Sequence, residues 1–192
     1  MNQPGMLDLA VLGFLKEGEM HGYELRRQVG TRLGPLWQVS WGSLYPSLRR
    51  LARRGAVEKV DRKAMASSGG RRKTVYRITP SGEKLFAGLL EETGGLTDAE
   101  HFTLKLAFFR HLQPEKRVLL LERRRAYLQD KLAQFKTNLR DYRERIDAYS
   151  VSLQSHDMAT VQDDIKWVEE LIVNEQQEPA IGVSGRPPDP SR

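Results

Sequence analysis

Apolar residues recur along most of this chain at spacings of three and four, the pattern of helices that each bury one face. The first run, residues 6–16, puts Leu7, Ala10, Val11, Phe14 and Leu15 on one side and stops near Gly18. A second starts at His21-Gly22, carries Leu25, Val29 and Leu33, and halts at Gly34-Pro35. Residues 36–39 connect it to a third run, residues 40–54, where Trp41, Leu44, Leu48 and Leu51 form the apolar face with Tyr45 and Ala52 beside it. The other face is basic. Ser43, Ser47, Arg49, Arg50, Arg53 and Arg54 lie on or near it, and no acid balances the four arginines. Ser40 is the expected cap, and the arginines crowd the end where the helix dipole favours cations. Pro46 falls in the second turn if Ser40 is the cap, and in the first turn if Ser43 is.

The period then changes. Residues 56–60 and 74–79 are rich in β-branched and aromatic side chains and predict two strands. The loop between them ends in Arg71-Arg72-Lys73, three consecutive cations suited to phosphate or minor-groove contact. Three helices followed by a basic-tipped hairpin predict a winged helix-turn-helix. Thr79-Pro80 supplies a cap and a first-turn proline for a helix carrying Leu85, Phe86, Leu89 and Leu90.

Helices dominate the remainder. Residues 97–100, Thr-Asp-Ala-Glu, read as a capping box ahead of Phe102, Leu106, Phe108 and Phe109. From Val118, positions 118, 121, 125, 128, 132, 135, 139, 142, 146, 149 and 153 alternate steps of three and four, and all but Arg125 are apolar. This predicts one long helix entered at Pro114, with a coiled-coil-like seam in which Leu121, Leu128, Leu132, Phe135, Leu139, Tyr142 and Ile146 mediate dimerisation. Arg125 is expected to pair across that interface with a glutamate or aspartate. After a break at residues 155–157, Val161, Ile165, Val168 and Ile172 predict a last helix that folds back as an antiparallel hairpin and joins the dimer surface. Beyond Asn174 the composition of Glu, Gln, Pro, Gly and Ser predicts disorder. The expected fold is thus mainly α with a small β-hairpin wing. Residues 1–92 form a winged helix-turn-helix DNA-binding domain, 93–174 an α-helical dimerisation domain, and 175–192 a disordered tail.

Charge sharpens this division. Residues 1–92 hold 16 lysines and arginines against 9 acids, and the rest hold 15 against 16, so the net charge of +6 belongs to the first part. A basic domain joined to a near-neutral one suggests a polyanion partner for the first alone. No apolar run is long enough for a membrane span, no basic cluster precedes the apolar residues 7–15 as in a secretion signal, and there are no cysteines. These features set the expectation of a cytoplasmic protein without disulfides, thiol nucleophiles or a membrane partner.

Candidate chemistry adds little to that. His21, His101, His111 and His156 are scattered, with none at metal-ligand spacing. Residues 69–74, Gly-Gly-Arg-Arg-Lys-Thr, lack the phosphate-loop spacing and join strand to strand rather than strand to helix. No serine lies in a nucleophile-elbow pattern, so neither catalysis nor a metal or other cofactor is expected. Phe102, Phe108, Phe109, Tyr127 and Trp167 read first as core and second as lining for an effector.

Four ordered motifs resemble the PadR family of bacterial transcriptional regulators: H-G-Y-E-L at 21–25, S-W-G-S-L-Y-P-S-L-R-R-L at 40–51, R-R-G-A-V at 53–57 and Y-R-I-T-P-S-G at 76–82. The resemblance implies a winged helix that binds double-stranded DNA, a homodimer held by carboxy-terminal helices, and repression that a small-molecule effector relieves. The expected DNA-binding residues are Tyr23, Ser40, Ser43, Tyr45, Ser47, Arg49, Arg50 and Arg53, with Arg71, Arg72 and Lys73 on the wing. Two other classes compete with this reading. A winged helix serving protein interaction would tolerate mixed charge on its third helix, and a coiled-coil adaptor with loose polyanion binding gives no reason for the order of the helices.

Overall fold

The computed structural model describes residues 4–33, 41–60, 74–142 and 147–177. The chain forms two compact units, Met1–Gln113 and Pro114–Arg192.

The first unit is built around α1 (Pro4–Glu17). The spacing predicts one buried face, yet residues 6–15 are buried on every side, because this stretch holds a single charge, Asp8, among apolar residues. A helix apolar all round belongs in a core. Accordingly α1 packs against α2 (Gly22–Arg32), α3 (Trp41–Arg53), α4 (Pro80–Glu91) and α5 (Ala99–Leu106). Gly13 also lets the Phe108 ring, just past α5, come close: a Cβ there would lie 2.5 Å from it. Phe108 meets Phe14 and Phe86 edge-on, with ring centroids 5.2 and 5.8 Å apart.

The wing strands β2 (Val57–Val60) and β3 (Val75–Ile78) pair antiparallel, and β1 (Met20–His21) adds to the other edge of β3. Two residues are too few to show alternation, so β1 leaves no periodic trace in the sequence. Central Arg77 ties the sheet together, reaching Glu58 on β2 at 2.7 Å and Glu19, just before β1, at 3.2 Å. Thr79 then caps α4 as expected, its hydroxyl oxygen accepting from the Gly82 N–H at 3.0 Å. A Cβ on Gly82 would sit 2.0 Å from the Ala56 carbonyl oxygen, so only glycine lets α4 start this close to the wing.

Asp98, rather than Thr97, caps α5, accepting from the His101 N–H at 2.8 Å. A carboxylate is the stronger acceptor for a helix N-terminus. Lys105 is wholly buried and donates to the carbonyls of Leu89 and Glu92, each at 2.6 Å, satisfying the end of α4. Burial holds its ammonium below the usual lysine range, with Glu92 opposing. A 3-10 turn at Phe109–His111 follows. The compact unit therefore extends past residue 92 to Gln113, held by buried Phe102, Leu104, Phe108 and Lys105.

The second unit is a hairpin of α6 (Pro114–Tyr142) and α7 (Ala148–Gln177). Arg117 meets Glu175 at 2.8 Å and Arg124 meets Asp164 at 4.0 Å, which makes the pair antiparallel. The reversal lies elsewhere than expected. The long helix ends at Tyr142, and residues 155–157, read as a break, are inside α7. A three-four pattern carries no record of chain direction, and here it runs straight through the turn. The local signal is Asp147, whose carboxylate accepts from the N–H groups of Tyr149 and Ser150 at 2.8 and 3.1 Å and caps α7.

The predicted seam divides accordingly. Leu121, Leu128, Val161 and Val168 are buried within the single chain, whereas Leu132, Phe135, Leu139 and Ile165 are half-buried. Ile146 and the Tyr142 side chain lie outside the described residues. Within the single chain Arg125 pairs with Glu122, one turn back on its own helix. Helix α7 runs to Gln177, past the expected start of the tail at 175; residues 178–192 lie outside the described residues. Among the described residues no helix is long and apolar enough to cross a membrane.

Candidate nucleic-acid interface

Leu44, Leu48 and Leu51, each no more than 1% exposed, fasten α3 to the core of the first unit, where it packs on α1, α2 and β2. Gly42, Tyr45, Pro46, Arg49, Arg53 and Arg54 are left exposed, and Ser43 is half-buried. Because α3 starts at Trp41, Pro46 falls in the second turn and removes one backbone donor there. Ser40 and the wing cations Arg71, Arg72 and Lys73 lie outside the described residues.

Aromatic residues flank the exposed arginines. A Cβ on Gly22 would meet the Tyr45 hydroxyl oxygen at 3.1 Å, so the start of α2 and the middle of α3 touch at this point. Beside it His21 caps α2, its Nδ1 accepting from the Glu24 N–H at 3.3 Å, and its ring stands edge-on to exposed Tyr23 with centroids 6.4 Å apart. Behind the helix, burial pushes the Tyr76 phenol above the usual tyrosine range; Tyr45 adds to the shift and Arg49 opposes it. Tyr23, Tyr45 and Arg49 are thus brought to one side of the unit, with Arg53 one turn further along α3.

Ser47 is a correction. It is 1% exposed and donates its hydroxyl proton to Asp8 Oδ1 at 2.7 Å, so it cannot meet a base from this position. Residues 44, 47, 48 and 51 form one i, i+3, i+4, i+7 stripe, and Ser47 occupies a core position in it despite its polarity. Arg50 borders the same stripe and donates to Asp8 from Nη2 at 2.5 Å and from Nε at 3.3 Å. Asp8 is the functional candidate that the apolar pattern conceals, because a lone acid in such a run reads only as an interruption.

A winged helix whose third helix turns arginines and a tyrosine outward defines a class of DNA-binding transcriptional regulator. The profile of the transcriptional regulator PadR-like family matches residues 11–88, and the chain belongs to that family. An uncharacterized protein of Lysinibacillus sphaericus is 31% identical over 88 residues, 46% of this chain and 78% of that protein. The negative transcriptional regulator PadR of Bacillus subtilis is 28% identical over 79 residues, 41% of this chain and 42% of its own length. Among solved structures, a transcriptional regulator from Clostridium thermocellum matches at 28% identity and TM-score 0.38, covering 44% of this chain and 76% of that one. Bacillus subtilis PadR in complex with operator DNA matches at 19% identity and TM-score 0.42, covering 88% and 98%.

Proposed function

We propose that this regulator is a repressor that binds an inverted-repeat operator as a homodimer and is released by a small-molecule effector. The observation that carries the DNA-facing part is the exposed side of α3, where Tyr45, Arg49 and Arg53 stand beside Tyr23 with no acid on the helix itself. Each subunit sets α3 in a major groove. Ser40, Ser43 and Arg49 lie nearest the base edges, Tyr23, Tyr45 and Arg53 reach phosphates, and Arg71, Arg72 and Lys73 hold the backbone from the wing. DNA binding belongs to residues 1–92, and self-association to the helical part, within 93–174.

Repression is supported by the function named for the Bacillus subtilis relative. Dimerisation is supported by apolar side chains that the hairpin leaves uncovered, half-buried Leu132, Phe135, Leu139 and Ile165 and exposed Tyr149 and Leu153. Tyr142 and Ile146 continue the same apolar sequence pattern. Two-fold symmetry places the half-sites about one helical turn, ~34 Å, apart. An effector releases DNA by favouring a dimer geometry whose recognition helices no longer match that spacing. The setting is cytoplasmic, where the operator is.

Titrating duplex DNA against the protein over a range of salt tests the interface. Replacing Arg71, Arg72 and Lys73 by alanine should weaken binding to all sequences and flatten the log–log salt slope by about 0.9 for each phosphate no longer neutralised. Arg49→Gln should instead cost about 1–3 kcal/mol on the preferred sequence and little on random duplex. Equal losses on both DNAs for Arg49→Gln would contradict the base-reading role.

A further inference from the structure

Asp8 is the one charged side chain within the buried stretch of α1, and both of its oxygens face α3. Oδ1 accepts from the Ser47 hydroxyl at 2.7 Å and from Arg50 Nη2 at 2.5 Å, and Oδ2 accepts from Arg50 Nε at 3.3 Å. A buried carboxylate is costly unless it is paired and hydrogen-bonded, and here all three bonds come from residues one turn apart on a single helix. The carboxylate therefore fixes two things together: the rotation of α3 about its axis and the reach of Arg50. Arg49, the next residue back, points to solvent.

Phosphate contacts are sequence-independent, whereas discrimination comes from base edges. Asp8 takes up Nε and Nη2 of the guanidinium and offsets its charge, so Arg50, although its side chain is 40% exposed, offers a phosphate less than an unpaired cation would. We propose that Asp8 is a specificity-determining positioning residue: it captures Arg50, withholds that cation from DNA phosphates, and so lowers affinity for indifferent sequence while holding Arg49 toward the groove. This rests on the DNA-binding reading above.

The test measures affinity for random-sequence duplex as a function of salt, with thermal melts to verify folding. Asp8→Asn keeps an acceptor for Ser47 and removes the charge that holds Arg50. It should bind random duplex several-fold tighter at low salt and steepen the salt slope by ~0.9, the increment for one more neutralised phosphate. Arg50→Gln should keep the wild-type slope, and the double variant should return to it. Glu170→Gln, which adds the same net charge on exposed α7, should leave the slope unchanged and so separate a direct phosphate interaction from total charge.

A folded Asp8→Asn protein with the wild-type slope would overturn the proposal. So would an Arg50→Gln slope flatter by ~0.9, since Arg50 would then already lie on a phosphate. If Asp8→Asn does not fold, the Arg50→Gln slope decides alone. A wild-type protein with no salt-dependent affinity for DNA would overturn the DNA-binding reading itself, a result distinct from the other two.

Discussion

His101 and His111 are surrounded by features that disfavour their charged forms. Burial lowers the His101 pKa first, and Lys105 adds to that against Asp98 and Glu92. His111 stands 5.5 Å from the Phe86 ring centroid; burial lowers its pKa too, with Arg110, Lys16 and Arg32 acting in the same direction. Unfolded, each titrates near the ordinary ~6.5. Between the folded values and that point the unfolded chain binds protons that the folded chain refuses, so stability rises with pH through this window and is lost as pH falls below about 6.5. Urea denaturation from pH 7.5 to 5.5 should show this loss, and His111→Gln should reduce its slope. An unchanged slope in the variant would refute the His111 assignment. At this scale the sequence was legible wherever chemistry and position agreed, as at Thr79, which caps α4, and in the exposure of Tyr45 and Arg49 on α3. Ser47 and Asp8 were not legible, because a polar residue in a core stripe declares itself only once its partner, 39 positions away in the chain, is placed beside it.

Among the elements, α1 shows how much packing a short run can carry. It is enclosed because Gly13 admits Phe108 and because residues 6–15 offer no polar face. Gly13→Ala would put a methyl into the Phe108 ring, and the forced repacking should cost about 1–3 kcal/mol in chemical denaturation. A neutral or stabilising effect would mean that the Phe14–Phe86–Phe108 cluster yields easily. The helices and the two wing strands were readable from period and caps. The position of the hairpin turn was not, since apolar spacing continued from α6 into α7 and only the capping carboxylate of Asp147 marked the reversal. Strand β1 was hidden for a different reason: its two residues are strand by virtue of pairing with Tyr76 and Val75.

At the scale of the whole molecule, the hairpin uses Leu121, Leu128, Val161 and Val168 internally and leaves Phe135, Leu139, Tyr149 and Leu153 at least partly uncovered. A two-fold dimer needs one patch that meets its own copy, and these apolar side chains are the candidates for it. Phe135→Asp should shift sedimentation equilibrium toward monomer and weaken operator binding more than random-duplex binding, because only the operator engages both subunits; an undisturbed dimer would move the interface elsewhere. The uneven charge, basic in residues 1–92 and close to neutral beyond, fits the same division of labour. The most direct measurement is selection of random duplex DNA on the purified protein at near-physiological salt, followed by sequencing of the bound pool. Recovery of an inverted repeat, with half-sites about one turn or ~34 Å apart, is the predicted result. A pool without any motif, retained only at low salt, would contradict sequence-specific binding and leave the arginines of α3 as an indifferent polyanion surface.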